Sequence, residues 1–265
     1  MIPQWQSRTA MLVGEEGLSR LADAAVVVVG LGGVGAVAAE MGARAGVGHL
    51  TIIDCDTVSD TNRNRQIPAL VSTVGLRKTS VVASRLLDIN PSLDLNVIDD
   101  YLTADNVASL IGSAAAGASC CPAASDSGSA GAGRAVDFVI DAIDTLAPKL
   151  ALISYCVGAG IPLVSSMGSG AKYDVTKIRI ADLSKSFNCP LAYIVRKKLR
   201  KMGITKGFDV VFSEELPDEA AIVEMTPEER LSIANKKSQG GTVSYLPAAF
   251  GCACAQACLR RLLSR

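Results

Sequence analysis

Aromatic residues make up only 4% of this 265-residue chain, against 49% hydrophobic residues overall. Any core must therefore be built from aliphatic side chains and alanine. There is a single histidine, His49, which excludes a histidine-rich metal cluster. The eight cysteines include no C-x-x-C pair, since Cys120 and Cys121 adjoin and Cys252 and Cys254 are one residue apart, so a structural zinc is not expected. Net charge is +0, from 26 basic and 26 acidic residues, so only local patches can argue for a nucleic-acid partner. No apolar run reaches the length of a membrane span, about eighteen residues. The nearest approach, Val243 to Leu259, contains a proline and a glycine and reads as a buried helix. Met1 to Arg20 is polar and mixed, with no apolar run before a cleavage site, so a cytoplasmic location with reduced cysteines is expected.

What the chain does have is an organising stretch from Val26 to Asp54, VVVVGLGGVGAVAAEMGARAGVGHLTIID. Val26 to Val29 predict a short buried strand. Gly30, Gly32, Gly33 and Gly35 form a glycine turn, and Ala36 to Arg44 reads as a helix whose small residues let it sit close to a sheet. Leu50 to Ile53 is a second strand ending on Asp54. The glycines permit a tight turn and close backbone approach, and the helix start offers free N–H groups to phosphate. Asp54 lies 24 residues after Gly30, a spacing suited to a ribose hydroxyl.

The remaining elements alternate. Residues 1–22 predict an N-terminal arm with a helix near Glu15 to Ala22, and Asp56 to Pro68 is polar and aperiodic, hence a loop. Lys78 to Asn90 has helical spacing and is stopped by Pro91; Leu93 to Ile98 alternates as a strand; Thr103 suits the cap of a helix ending near Ile111. Residues 112–133 are almost all Gly, Ala, Ser, Cys and Pro and read as a flexible insertion. Val136 to Ile140 is a third core strand, Pro148 to about Gly160 a helix, and Ile161 to Ser165 a fourth strand. Lys177 to Ala181 and Val210 to Phe212 predict further strands, Pro190 to Met202 a helix with a basic end, Ser213 to Gly241 a mobile crossover, and Val243 to Leu263 a closing helix. The expected fold is α/β, a Rossmann-like doubly wound, mostly parallel sheet with a C-terminal extension of mixed strands and helices. It forms one domain over 1–265, with a nucleotide-binding core at 23–170 and a substrate-facing part at 171–265.

A glycine turn alone does not separate dehydrogenases, methyltransferases and ATP-using enzymes. Here Asn62, Arg63, Asn64, Arg65 and Gln66 follow Asp54, and Lys78 heads the next helix. Cations beside a phosphate-binding turn suit a triphosphate and offset the charge that develops as pyrophosphate leaves. Asp144, at the carboxyl end of the third core strand, could hold Mg²⁺ on those phosphates. Asp141 reads as a strand-end cap and Asp56 as a turn former. Cys189 heads a helix, where thiol pKa values fall, but an incidental thiol is the preferred reading. Arg196, Lys197, Lys198, Arg200 and Lys201 form a basic run without an acid, as on a solvated helix face; the family resemblance described next implies instead a tRNA-backbone patch.

Four motifs in order, GLGGVG, IIDCDTVSDTNRNRQ, VGLRK and VIDAIDT, resemble the ubiquitin-activating-enzyme-like adenylyltransferase family over residues 8–170. The resemblance implies that Gly32 and Gly35 line the nucleotide and Asp54 holds the ribose. Asn62, Arg65 and Lys78 then contact phosphates, and Asp144 is the metal-linked acid. It also implies that Arg8 reaches the ATP of a partner subunit, hence a homodimer. Within the family, RTAMLVG, NRQIPAL, DAIDTLAPK, IPLVSSMGSGAK and KIRIADLSKS resemble the tRNA threonylcarbamoyladenosine dehydratases. That implies ATP-dependent ring closure of a modified adenosine beside the anticodon, through an acyl-adenylate, with ATP and Mg²⁺ as cofactors. The expected partners are tRNA carrying threonylcarbamoyladenosine, a second copy of the chain, and conceivably a sulfur-relay-type protein. Zinc-bearing relatives that activate sulfur carriers have two C-x-x-C pairs, which this chain lacks. Three alternatives remain at this point: an adenylyltransferase for a ubiquitin-like sulfur carrier; a nicotinamide-dependent oxidoreductase, against which Arg65 and Lys78 speak; and a non-catalytic nucleotide-binding partner protein, against which the full set of cations speaks.

Overall fold

Strand β1 (Ala25–Val29) is buried along its whole length because it runs through the middle of the sheet. It pairs in parallel with β2 (His49–Ile53) on one side and β4 (Phe138–Asp141) on the other. Helices cover both faces, so its residues form an unbroken apolar run rather than an alternating one. The computed structural model describes residues 2–116, 135–226 and 238–264. Among these, seven strands make one sheet in the order β3-β2-β1-β4-β5-β7-β6, with β3 at Asp94–Ile98, β5 at Leu163–Ser166, β6 at Ile178–Asp182 and β7 at Asp209–Ser213. All pairings are parallel except β6 with β7 at the edge. This is the doubly wound, mostly parallel α/β architecture the sequence predicts.

Two apolar cores flank the sheet. One face carries α2 (Gly35–Ala45), α3 (Lys78–Ile89) and α7 (Tyr245–Leu263) over Val26, Val28, Leu50, Ile52 and Ile140. The other carries α4 (Val107–Ala116), α5 (Leu146–Ala159) and α6 (Pro190–Lys201) over Val27, Val29, Ile53 and Val139. Small residues let α7 lie tightly on α2: a side chain at Gly251 would bring its Cβ within 2.5 Å of the Val34 carbonyl oxygen. No described helix is long and apolar enough to cross a membrane.

Three local expectations change. Helix α1 runs over Ser7–Asp23, well before Glu15, and is interrupted at Gly14, where φ is +74°. Only its second half buries Leu18 and Leu21, while Met11 and Leu12 in the first half are 85% and 86% exposed. The earlier turns therefore lack the core-facing pattern that reveals a helix in sequence. Within the 112–133 insertion, residues 112–116 continue α4, in keeping with the high helix propensity of alanine; residues 117–133 lie outside the described residues. The 213–241 crossover contains a hairpin, β8 (Ile222–Glu224) against β9 (Ser238–Gly240), and residues 227–237 are outside the described residues. The C-terminal part supplies β6, β7 and α7 to the central sheet and its cover.

Candidate active site

The turn between β1 and α2 is shaped by glycines for different reasons. Gly30 has φ +89°, and a side chain there would meet the Ala142 carbonyl oxygen at 2.9 Å. A Cβ at Gly35 would lie 1.7 Å from the Gly30 carbonyl oxygen, and one at Gly33 would lie 2.9 Å from Pro247. Gly32 differs: its Cβ would meet nothing nearer than the Gln66 side chain at 3.6 Å. Gly30, Gly33 and Gly35 are thus required by the chain's own packing. Packing alone does not require a glycine at Gly32. Helix α2 begins at once after the turn, with Ala36 N donating to Gly32 O at 3.3 Å.

Asp54 follows β2 at the same strand ends. Its carboxylate accepts hydrogen bonds from the backbone N–H groups of Leu31 (2.5 Å) and Asp56 (2.8 Å), which bind it to the glycine turn. Burial pushes its carboxyl above the usual range, against the nearby Lys78 charge and those two N–H donors. Lys78 begins α3 and is only 5% exposed. Its Nζ lies 2.7 Å from Oδ2 of the exposed Asp56. Asp56, read in sequence as a turn former, is the carboxylate that aims the lysine.

Asn62 ends a short 3-10 turn (Asp60–Asn62), where its Oδ1 accepts from Ser59 N at 3.1 Å. Arg65 follows, donating to Thr61 O at 3.0 Å and Asn64 Oδ1 at 2.8 Å. Both Arg65 partners are neutral, so the guanidinium charge is not neutralised by them. Gln66 is 8% exposed, and its Oε1 is buried without a hydrogen-bond partner. An orphaned amide beside Gly32 is a cost to the fold alone and fits a ligand that supplies a donor. The sequence showed Gln66 only as one polar residue in a polar loop; its burial has no local signal.

Asp144 sits exposed in the turn between β4 and α5, and that turn abuts Gly30 and Gly35 through Ala142. Asp141 caps the strand end as expected, accepting from Ile143 N at 3.0 Å. Asp54, Cys55 and Asp56 place ligand atoms within 4.8 Å of one another. Their carboxylates are engaged by Leu31, the Asp56 N–H and Lys78.

Three further predicted residue sets stand on α1 and α6. Arg8 is exposed on the first half of α1. Cys189 is the N-cap residue of α6, as predicted, but is only 5% exposed. Helix α6 starts beside Gly168, beyond the carboxyl end of β5, and leads back to β7, which is parallel to β5. Its basic end therefore lies toward the amino-terminal edge of the sheet, about 18 Å along a twelve-residue helix from its head. Lys197, Lys198, Arg200 and Lys201 are exposed there. Arg196 is not: its guanidinium bonds the Ser186 carbonyl and hydroxyl oxygens, which removes it from the exposed set.

The ThiF family matches residues 6–265 of the chain. The chain is 43% identical over 221 residues to the tRNA threonylcarbamoyladenosine dehydratase of Escherichia coli, covering 80% of this chain and 75% of that protein. It is 41% identical over 211 residues to the protein of the same name from Bacillus subtilis, with the same 80% and 75% coverage. A solved structure of E. coli tRNA N6-threonylcarbamoyladenosine dehydratase in complex with ATP matches with a TM-score of 0.81 and 37% identity, covering 100% of this chain and 97% of that one.

Proposed function

Because this chain belongs to the ThiF family, we propose that it is an ATP-dependent dehydratase that closes a ring in the threonylcarbamoyladenosine of tRNA. The observation that carries this reading is the gathering of the glycine cradle, Asp54, Arg65 and Lys78 at one set of strand ends. The end-to-end likeness to an ATP-bound dehydratase supports it. Open α/β sheets bind ligands at that edge.

ATP lies with its ribose hydroxyls on Asp54 and its phosphates over Gly32, the start of α2, Asn62, Arg65 and Lys78. Gln66 Oε1 accepts from a donor of the ligand. The substrate's carboxylate attacks the α-phosphorus, the bond to the β-phosphate oxygen breaks, and pyrophosphate leaves with that electron pair. Arg65 and Lys78 stabilise the developing charge in a site where Lys78 is already shielded from water. Mg²⁺ held through Asp144 would neutralise further phosphate charge. A nitrogen or oxygen of the carbamoyl group then attacks the activated carbonyl, AMP leaves, and the ring closes with the net loss of one water. The two reacting groups belong to one molecule, so the entropic barrier is low and no protein nucleophile is needed. Digestion of threonylcarbamoyl-tRNA treated with the enzyme and ATP should yield a nucleoside lighter by one water. Unchanged mass alongside ATP consumption would refute the dehydratase reading.

The exposed end of α6 is too far from the cradle to touch the reacting nucleotide. It binds the phosphate backbone of the tRNA stem. Replacing Lys197, Lys198, Arg200 and Lys201 with glutamine should raise KM for tRNA about tenfold or more, flatten the salt dependence of binding, and leave kcat within about twofold. An unchanged salt slope would show that the patch is only a solvated face.

The enzyme works as a homodimer in which Arg8 reaches the partner's ATP. The support is the exposed apolar pair Met11 and Leu12 on the same stretch of α1, an uncovered patch of the kind that marks an interface. Met11→Glu with Leu12→Glu should produce a monomer by sedimentation and lower turnover by about a hundredfold. A monomer that turns over normally would contradict the shared site.

A further inference from the structure

Two tyrosines stand exposed beside the nucleotide cradle, and the chemistry above uses neither. Tyr245 opens α7 and is 47% exposed. Tyr173 lies in the loop after β5 and is 56% exposed. The Tyr245 hydroxyl donates to the Tyr173 carbonyl oxygen at 3.0 Å, so the two residues are neighbours. They also adjoin the cradle. Pro247, two residues after Tyr245, packs so closely on the glycine turn that a Cβ at Gly33 would lie 2.9 Å from it. Asn64, next to Arg65, donates to Thr242 O at 3.3 Å, just ahead of α7.

The loop that carries Tyr173 is bonded at each residue from Ala171 to Asp174. Ala171 has φ +58°, donates from its N–H to Gly241 O at 2.7 Å and accepts from Asp218 N at 2.8 Å. A left-handed residue other than glycine persists only where its surroundings enforce it. Lys172 is 2% exposed, and its Nζ donates to Asn188 O at 3.1 Å and to Ser213 O at 3.0 Å. The Glu215 carboxylate accepts from Tyr173 N at 3.0 Å and from Asp174 N at 2.8 Å. The backbone is held while the ring stays in solvent. Among the described residues the paired rings are Phe187 and Phe212, so neither tyrosine face is taken by another described ring.

An ordered, exposed aromatic pair suits a flat ligand. In the dehydratase reading the attacking carboxylate hangs from a nucleobase, so that part of the RNA must come to rest beside the cradle. Unpaired bases turned out of an RNA loop stack on aromatic side chains. We propose that Tyr173 and Tyr245 form a stacking platform for an unpaired base of the tRNA loop that carries threonylcarbamoyladenosine. The platform holds the modification against the cradle. The inference rests on the dehydratase reading. It differs in kind from the α6 lysines, because stacking on a base releases no counterions.

The test is fluorescence anisotropy of an end-labelled anticodon stem–loop RNA carrying threonylcarbamoyladenosine, titrated with the full chain and with Tyr173→Leu, Tyr245→Leu, Tyr173→Phe and Tyr245→Phe. ATP affinity and thermal unfolding are measured alongside. Each leucine variant should weaken RNA binding about tenfold, the scale of one lost stacking ring, and by the same factor at low and high salt. ATP affinity should stay within about twofold. Tyr173→Phe should bind RNA as the wild type does. Tyr245→Phe keeps the ring but loses the bond to Tyr173 O, and should fall about twofold. Should a leucine variant fail to fold, glutamine at the same exposed position takes its place, with the same expected loss. Unchanged RNA affinity in the folded leucine variants, or an equal loss in the phenylalanine variants, would overturn the proposal while leaving the dehydratase reading standing. An equal loss of ATP affinity would place the rings in the ATP site and overturn it as well. A wild-type chain that neither binds nor dehydrates the stem–loop would overturn both.

Discussion

Lys78→Met is expected to slow ATP–pyrophosphate exchange by about two to three orders of magnitude, the range for removing one donor that meets developing charge. The lysine is 5% exposed, so its charge acts through little water. Its carboxylate partner, Asp56, is 63% exposed in its side chain, so losing the lysine leaves an acid that simply rehydrates. The melting temperature should accordingly move by only a few degrees. Lys78→Arg, longer and planar, should recover only part of the rate because Asp56 holds the terminal nitrogen at 2.7 Å. The check is the exchange rate at saturating ATP together with AMP affinity. AMP lacks the phosphates assigned to Lys78 in the proposed mechanism and should bind within about threefold of wild type. Equal loss of AMP binding would assign the lysine to the cradle's structure instead of to the leaving group.

Gly35→Ala should produce the second large effect, by a different route. Its Cβ would sit 1.7 Å from the Gly30 carbonyl oxygen, a backbone atom locked between β1 and the Ala142 turn. No rotamer change relieves that contact, so either the turn opens or α2 withdraws from the sheet. Overpacking of this kind costs about 1–3 kcal/mol and more where backbone must move. A lower melting temperature and loss of ATP binding by about a hundredfold are expected together. Gly32→Ala separates the two consequences. There the nearest atom is the end of a flexible glutamine at 3.6 Å, so the fold should be untouched while ATP binding weakens through lost backbone approach. If both variants bind ATP as the wild type does, the glycine turn is structural only.

Much of this site could be read from the sequence because its signals are local. The β1 valines, the glycine turn and Asp54 lie within one continuous unit, and Lys78 opens a helix whose apolar spacing is plain. The parallel sheet followed from alternating strands and helices. The hidden parts depend on contacts between distant residues. Asp56 looked like a turn former because its partner is 22 positions away. Lys149 sits in an otherwise apolar stretch of α5, where a lone lysine suggests a solvent edge; only folding brings Asp141 and Ser165 against it. Gln66 becomes buried by the cradle it faces. The first half of α1 escaped notice because its apolar residues point away from this chain's core. Arg196 shared the pattern of its basic neighbours, yet lies where Ser186 claims it.

The most direct test of the account is exchange of labelled pyrophosphate into ATP, measured with threonylcarbamoyl-modified tRNA, with the same tRNA lacking the modification, and with neither. The account predicts exchange that depends on the modified tRNA, because the carboxylate that attacks ATP belongs to the modification itself. Exchange that ignores tRNA and responds to a small carrier protein with a C-terminal carboxylate would contradict it.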